Sequence, residues 1–299
     1  MPKSDRYFLI TPARNEAKFI EKTIVSVIAQ TIKPVQWSIV SDGSTDDTDT
    51  IALRYSEEHT FIKVLRTAPD SRYNASSKVK AFYRGFSFAE DLKYDFIGNL
   101  DADVTFAPDY FEKILQFFAG DPRLGLAGGR IFEEVRGRKR PMWPGGSIHS
   151  VSGAVQLFRK ECFVAIGGYL PLEHGGIDSA AEITARAKGW TVRTFPEIEV
   201  MHLKPMRTGA KSVLMAKFRQ GRSNYQLGYH PLFHIALSLY HFCDRPCILA
   251  GISIQCGYIW GMIHGDRRLL DSQVVLHLQK EQMNRLFNIL RGTSCRPLS

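Results

Sequence analysis

Apolar positions in the first hundred residues fall into short continuous runs separated by longer stretches with helical spacing. "RYFLIT", "VQWSIVS", "FIKVLR" and "YDFIGNL" are apolar almost throughout, as strands covered on both faces of a sheet are. Between the first two lies "AKFIEKTIVSVIAQT", in which Phe19, Ile20, Thr23, Ile24, Val27 and Ile28 recur at helical spacing. "DGSTDDT" follows the second strand and supplies the Ser, Thr and Asp that open helices; a further helix over Ser77 to Glu90 leads to the fourth strand. Strands alternating with helices predict an α/β fold, a mostly parallel sheet wrapped by right-handed crossovers. In such sheets ligands bind beyond the carboxyl ends of the strands, so Thr11, Asp42 and Asp101, each expected at a strand exit, mark one rim as a site.

Further along, the pattern predicts a helix ("DYFEKILQFFAG"), a strand ("LGLAGGRIF"), a basic loop ("RGRKRPMWPGG") and an apolar segment ("SGAVQLFRKECFVAIGGY"). From about Ser223 the chain becomes more helical and more apolar. This divides it into an α/β domain over residues 1–222 and a helical extension over residues 223–299. In the extension two apolar runs, "PLFHIALSLYHF" and "CILAGISIQCGYIWGMI", are split by Asp244, Arg245 and Pro246. Neither clearly has the roughly 20 apolar residues that cross a bilayer. Two readings stand: an in-plane or re-entrant hairpin making a peripheral membrane contact, helped by Arg267 and Arg268, or a buried helical hairpin or dimer surface. "SQVVLHLQKEQMNRLFNIL" predicts an amphipathic helix with Leu276, Met283, Leu286, Phe287 and Leu290 on the face that packs on the domain.

Composition narrows the partners. Of 299 residues 44% are hydrophobic, enough for one large core, and the formal net charge of +9 favours anionic ligands: nucleic acid, a membrane surface or a phosphorylated small molecule. The basic residues are scattered and carry no nucleic-acid-binding motif, so no nucleic acid partner is expected. Five cysteines (Cys162, Cys243, Cys247, Cys256, Cys295) form no CxxC pair, which predicts free thiols in a reducing compartment rather than a disulfide framework or zinc knuckle. "MPKSDRYFLITPARNE" has no long apolar stretch, so a signal peptide is not expected and the chain reads as cytoplasmic.

The chemistry concentrates in "YDFIGNLDADVTF". A buried strand ends in two carboxylates, Asp101 and Asp103, one residue apart, and unpaired buried charge is costly. A divalent cation resolves this: Mg²⁺ or Mn²⁺ needs only one or two protein carboxylates when phosphates and water fill the other positions.

With these pieces in order, the chain resembles the inverting nucleotide-sugar glycosyltransferases of family 2, which have the GT-A fold. The likeness rests on "TPARNE" (Thr11 to Glu16), "SDGSTDDT" (Ser41 to Thr48), the looser "SKVKAFYRG" (Ser77 to Gly85), "LDADV", and "GWTVRTFPEIEVMH" (Gly189 to His202). It implies a Rossmann-like sheet and metal-dependent transfer of a sugar from a nucleoside-diphosphate-sugar donor to a glycan or lipid-linked acceptor. By analogy the setting is surface polysaccharide or glycolipid assembly at the cytoplasmic face of a membrane. The resemblance implies that Pro12, Arg14, Glu16 and Asp42 hold base and ribose and that Lys78 lies near the nucleotide. It further implies that Asp101 meets ribose or metal-bound water, Asp103 binds the metal, and His202 completes the metal site. His among oxygen ligands suits Mn²⁺, with Mg²⁺ also in play. Tyr83 and Arg84 depart from the family's small or amide residues.

Inverting transfer also needs a base for the acceptor hydroxyl. "EHGGIDSAAEITARAKGW" supplies Asp178 by resemblance, although Ile177 stands where the family has Glu. Ser179 and Glu182 read as a capping box, and Asp46 and Asp47 as first-turn acids without a site role. The Arg136–Arg140 stretch with Trp143 and Gly145–Gly146 reads either as a mobile cover touching diphosphate or acceptor, or as a solvated loop. Arg219 and Arg222 are candidates for diphosphate contact. Alternatives are a nucleotidyltransferase acting on a sugar phosphate, disfavoured because "TPARNE" has no glycine, and a non-enzymatic protein that binds anionic ligands.

Overall fold

The computed structural model describes residues 6–68, 75–89, 91–143, 146–173, 175–204, 210–244 and 246–291. Glu90, Gly145, Arg245 and Cys295 lie outside them, as does the Leu290 side chain.

The four expected strands form as β1 (Tyr7–Ala13), β2 (Gln36–Asp42), β3 (Ile62–Thr67) and β4 (Phe96–Leu100), all mutually parallel in the order β3-β2-β1-β4. They are linked by α1 (Ile20–Ile28), α2 (Thr48–Glu58) and α3 (Ala75–Phe86). Beyond β4 come the short β5 (Val104–Phe106), α4 (Tyr110–Gly120) and the long β6 (Leu124–Val135). β7 (Arg138–Pro141), β8 (Val155–Arg159), α5 (Lys160–Ala165), α6 (Ile177–Ala187) and β9 (Thr191–His202) complete the α/β body. The sheet continues β4-β8-β6-β9-β5. Here β8 runs antiparallel to both β4 and β6, while β6 and β9 are parallel. Antiparallel β8 brings the segment before it, residues 150–154, to the carboxyl end of β4, which is where the site forms.

Helices cover both faces. Ile20, Ile24 and Val27 of α1 and Phe111, Ile114 and Phe118 of α4 share one core with Tyr7, Leu9 and Trp37; Tyr7 and Phe111 stack at 4.5 Å. On the opposite face Val79 and Phe82 of α3, Phe163 of α5 and Ala181 and Ala185 of α6 pack on Phe8, Ile10 and Phe158. Residues buried from both sides are why these strands read as unbroken apolar runs.

The boundary expected at 222/223 falls inside a single helix, α7 (Ala210–Leu227). α8 (Pro231–Tyr240), α9 (Leu249–Ile263) and α10 (Ser272–Leu290) follow. The buried face of α10 is Val274 and Leu278, which join Ala180 and Ile183 of α6 in a third apolar cluster, with Gln282 also buried. The face expected from sequence is therefore corrected: Leu276 and Phe287 are exposed, because the seam against α6 selects a different stripe of the same helix. α7 and α9 cross with their backbones in contact. A Cβ at Gly221 would lie 1.8 Å from the Ile254 carbonyl oxygen, and one at Gly257 1.9 Å from that of Phe218.

Gly221→Val should therefore force the helices apart. Overpacking of about 1–3 kcal/mol predicts a thermal midpoint lower by roughly 5 °C, whereas Gly120→Ala, with open space around it, should leave the midpoint unchanged or raise it. Differential scanning calorimetry of the two variants checks this, and an unchanged midpoint for Gly221→Val would contradict the close crossing.

Candidate active site

The two motif loops at the rim are stitched to each other. Asn15, held at φ 55°, accepts at Oδ1 from the Thr45 amide (2.8 Å), while its own amide donates to Ser44 Oγ (3.2 Å). The Glu16 amide donates to Thr48 Oγ1 (2.8 Å) and the Ala17 amide to Asp46 Oδ2 (3.1 Å). Asp46 Oδ1 also accepts from the Thr48 amide. Burial works against its charge, but the bonds from Thr48 and Ala17 outweigh that and hold its pKa below the usual value. Asp46 is thus a loop-to-loop tie, a role the helix-dipole reading missed. Thr11 is also corrected: it lies inside β1, fully buried, and its hydroxyl accepts from Trp37 Nε1 (2.9 Å), a core contact rather than a rim position.

These tied loops shape a recess of about 140 Å³ lined by Pro12, Arg14, Glu16, Asp42, Asp101 and Asp103. At its far side Asp42 Oδ1 accepts from Thr67 Oγ1 (2.9 Å) and faces Arg84 Nη1 at 3.4 Å, so the departure at Arg84 supplies a cation to the recess's own aspartate. Lys78 donates to Asp101 Oδ1 (2.5 Å). Burial disfavours its charge, yet Asp101, with Asp178 and Asp103 behind it, overcomes this and raises its pKa above the ordinary value.

Asp103 lies against His202, with Oδ2 3.5 Å from Nε2. Burial first and Asp101 second push the Asp103 pKa up, while His202, Lys204 and Lys78 pull it down. His202 Nδ1 sits 2.8 Å from the Lys204 carbonyl oxygen, which can only accept, so in the neutral ring the proton is on Nδ1. Nε2 then turns a lone pair towards a carboxylate. A cation between them, or a second ring proton, removes that conflict. Beside them Lys204, unnoticed in the sequence, binds Glu16 Oε1 (2.5 Å), while Glu16 Oε2 is buried with no hydrogen-bond partner among the described residues. Among the described residues no three His, Cys, Asp or Glu side chains are grouped closely enough to hold a metal by themselves. The Asp103–His202 pair fits a Mg²⁺ or Mn²⁺ ion that takes its remaining oxygens from a ligand, and Glu16 adds an oxygen without a partner close by.

A second cleft, of about 340 Å³, adjoins the first and shares Lys78 and Asp101 with it. Met142, Trp143, Tyr169 and Asp178 line it, as does His202. Asp178 sits in the first turn of α6, which is entered through Gly175 and Gly176 at φ 92° and 84°. A Cβ on Gly176 would meet Ser223 Oγ at 2.4 Å, so glycine is required there twice over. Asp178 Oδ2 lies against Gly153, where a Cβ would come within 3.0 Å. That segment is fixed to β4, since Asn99 Nδ2 donates to the Gly153 carbonyl (2.7 Å) and the Asp101 amide to that of Ala154 (2.8 Å).

Glu182 is not a cap. Helix α6 starts at Ile177, with Gly176 at its N-cap and no side-chain cap bond, and Glu182 is buried, accepting from the Val151 amide (2.7 Å) and Ser150 Oγ (3.3 Å). It clips the 150–154 segment to the helix that carries Asp178. Two further candidate segments lie apart from the clefts. The Arg136–Arg140 stretch is a β-hairpin between β6 and β7, its tight turn made by Arg136 and Gly137 at positive φ, with Lys139 paired to Glu199. Arg222 is committed to Asp266 (2.5 and 2.9 Å), and neither it nor the exposed Arg219 lines the two clefts.

A mostly parallel sheet whose strand ends hold a recess beside a carboxylate-lined cleft is the architecture of the GT-A glycosyltransferases. The chain belongs to glycosyltransferase family 2, whose model matches residues 8–168. It is 26% identical over 224 residues to the poly-β-1,6-N-acetyl-D-glucosamine synthase of Staphylococcus aureus strain COL, covering 69% of this chain and 52% of the synthase. It is 32% identical over 110 residues to the chondroitin synthase of Escherichia coli, 37% of this chain and 15% of that one. The chain thus spans about half the length of the first of these relatives. Its fold is that of the mannosyltransferase PcManGT from Pyrobaculum calidifontis, solved with GDP-mannose and Mn²⁺. The TM-score is 0.57 at 15% identity over 97% of this chain and 88% of the other. S. aureus TarS residues 1–349, solved with UDP-GlcNAc, gives 0.54 at 12% identity over 95% and 81%.

Burial, and then the charge of Asp178, push the Glu182 pKa from 4.5 to about 8. As pH rises past 4.5 the unfolded chain releases a proton that the folded chain keeps until about pH 8, so Glu182 lowers stability progressively across that window. Glu182→Gln keeps an acceptor for the Val151 amide and removes the titration. Its thermal midpoint should fall less between pH 5 and pH 8 than that of the wild type, and parallel decline would contradict a neutral buried acid.

Proposed function

We propose that the chain is a cation-dependent inverting glycosyltransferase that moves a sugar from a nucleoside-diphosphate-sugar to an acceptor hydroxyl in surface polysaccharide or glycolipid assembly. One observation carries the reading: Asp101, bound to Lys78, borders both the recess and the cleft that Asp178 lines. A donor bridging the two would lay its nucleoside against Pro12, Arg14 and Asp42 and its sugar towards Trp143 and Asp178. Relatives with the same fold were solved with GDP-mannose and with UDP-GlcNAc, and the synthase relatives are named for polysaccharides, which supports both donor class and pathway.

Asp103 and His202, with Glu16 beside them, would hold the cation, which when bound supplies Lewis-acid stabilisation of charge growing on the diphosphate. Lys78 adds a fixed positive charge at the junction of the two spaces. Asp178 accepts the proton of the incoming hydroxyl as it attacks the anomeric carbon from the face opposite the diphosphate. Gly153, with no side chain, lets the carboxylate lie close to the segment tied to Asp101, and Met142 and Trp143 wall the cleft with apolar surface.

Loss of the base should strike turnover alone. Asp178→Asn is expected to slow release of nucleoside diphosphate by about 10²–10⁴-fold, with donor affinity within about threefold of wild type. Coupled release assays with UDP-GlcNAc and GDP-mannose, paired with calorimetric donor titrations, measure both. Retention of most of the turnover would remove Asp178 from this role.

A further inference from the structure

Charge and apolar surface are distributed unusually over α8 and α9. On α8, Leu232, Ile235 and Leu239 face outwards at 57%, 46% and 57% exposure. Along α9 the outward stripe is Leu249, Ile252, Ile259 and Ile263, recurring at helical spacing, with no charged residue anywhere in the helix. This is not a loosely held surface. The glycine crossing locks α9 to α7, and Gln255 Oε1 meets both His234 Nδ1 (3.0 Å) and Ser238 Oγ (2.9 Å) of α8. A rigid apolar face of this extent on the exterior calls for a covering.

Charge decides what covers it. Between residues 223 and 268 the only acids are Asp244 and Asp266. Asp244 is paired with Lys217 (2.8 Å) and His241 (2.7 Å), and Asp266 with Arg222 (2.5 Å). Their negative charge is neutralised locally, while Arg267 and Arg268 are exposed just past the end of α9. Arg268 donates to the Tyr225 carbonyl oxygen and lies over the Tyr225 ring at 4.1 Å, so its charge is held at this edge and Arg267 extends beside it. There Trp260, 46% exposed, stacks on His264 at 4.0 Å, an aromatic residue where apolar surface meets basic. No helix among the described residues is long and apolar enough to cross a membrane, and the 15 residues of α9 extend about 22 Å against the ~30 Å hydrocarbon core.

We propose that the outward face of α8 and α9 docks in the plane of an anionic lipid bilayer, with Leu, Ile and Trp side chains entering the headgroup boundary, Arg267 meeting lipid phosphates and the charge of Arg268, anchored on Tyr225, adding to the attraction. The surface stands apart from the two clefts and does not depend on the sugar-transfer reading. Apolar insertion supplies most of the binding and the arginines supply a salt-sensitive part.

Flotation of the full chain with phosphatidylcholine vesicles, with and without about one quarter phosphatidylglycerol, tests this. The chain should float with the anionic vesicles, less so at high salt, and still measurably, though to a smaller fraction, with the neutral ones. Ile252→Glu with Ile259→Glu, both at exposed positions, should lower vesicle partitioning roughly tenfold or more with an unchanged thermal midpoint. Tryptophan emission should shift to the blue on adding anionic vesicles, and Trp260→Phe should lose that shift, a readout that does not need the double variant to fold. Failure to float, or a blue shift that persists in Trp260→Phe, would overturn the proposal. So would a concentration-dependent dimer that the double variant dissociates without any vesicle binding, since a second copy would then be the covering.

Discussion

Convergence of like charge at the end of β4 is the constraint on which the site depends. The chain sets Asp101 and Asp103 at a strand exit, adds Glu16 from the neighbouring loop and Asp178 from across the cleft, and buries much of the group. Like charges gathered in a partly buried recess raise one another's pKa, as Asp101 does for Asp103, so cations must share the space. Two are built in, Lys78 on Asp101 and Lys204 on Glu16. Asp103 is left facing a histidine whose proton is held on the other nitrogen, and the buried Glu16 Oε2 has no hydrogen-bond partner among the described residues. A divalent ion carried in with a diphosphate would complete the balance.

The rest of the fold holds these charges where they are. Parallel β1, β2 and β4 end at one rim, and antiparallel β8 returns the 150–154 segment to it. The segment is pinned from two sides, by Asn99 and Asp101 on the strand and by Glu182 on α6. Geometry between Asp101 and Asp178 therefore passes through a few short hydrogen bonds. Such a frame holds the charges in fixed positions before a ligand arrives.

Much of this was legible in the sequence because apolar runs and their spacing respond to burial alone. All four parallel strands and their helices follow from it. Asp101, Asp103 and Asp42 stood out because acids at strand exits conflict with their surroundings, and the fold gathers all three around one recess. What stayed hidden depends on which distant segments meet. Lys204 is an ordinary lysine until β9 brings it to Glu16. Glu182 fits a capping pattern in the chain, and only the approach of Val151 shows otherwise. Asp46 resembles a helix-dipole acid until the Ala17 amide is seen on it. Arg222 had the residue type for a phosphate ligand, but Asp266 lies closer. Periodicity likewise marked α10 as amphipathic without telling which stripe α6 would cover.

Family membership gives the class of chemistry, and the carboxylate cluster is where this chain's own residues bear on it. Calorimetric titration of UDP and GDP into the wild-type chain and Asp103→Asn, with Mn²⁺ and with chelator, bears most directly on the cluster's purpose. The account predicts binding of at least one nucleoside diphosphate that tightens about tenfold or more with Mn²⁺ in the wild type and gains little in the variant. Affinity that is the same with and without the ion, or a variant as responsive as the wild type, would contradict it.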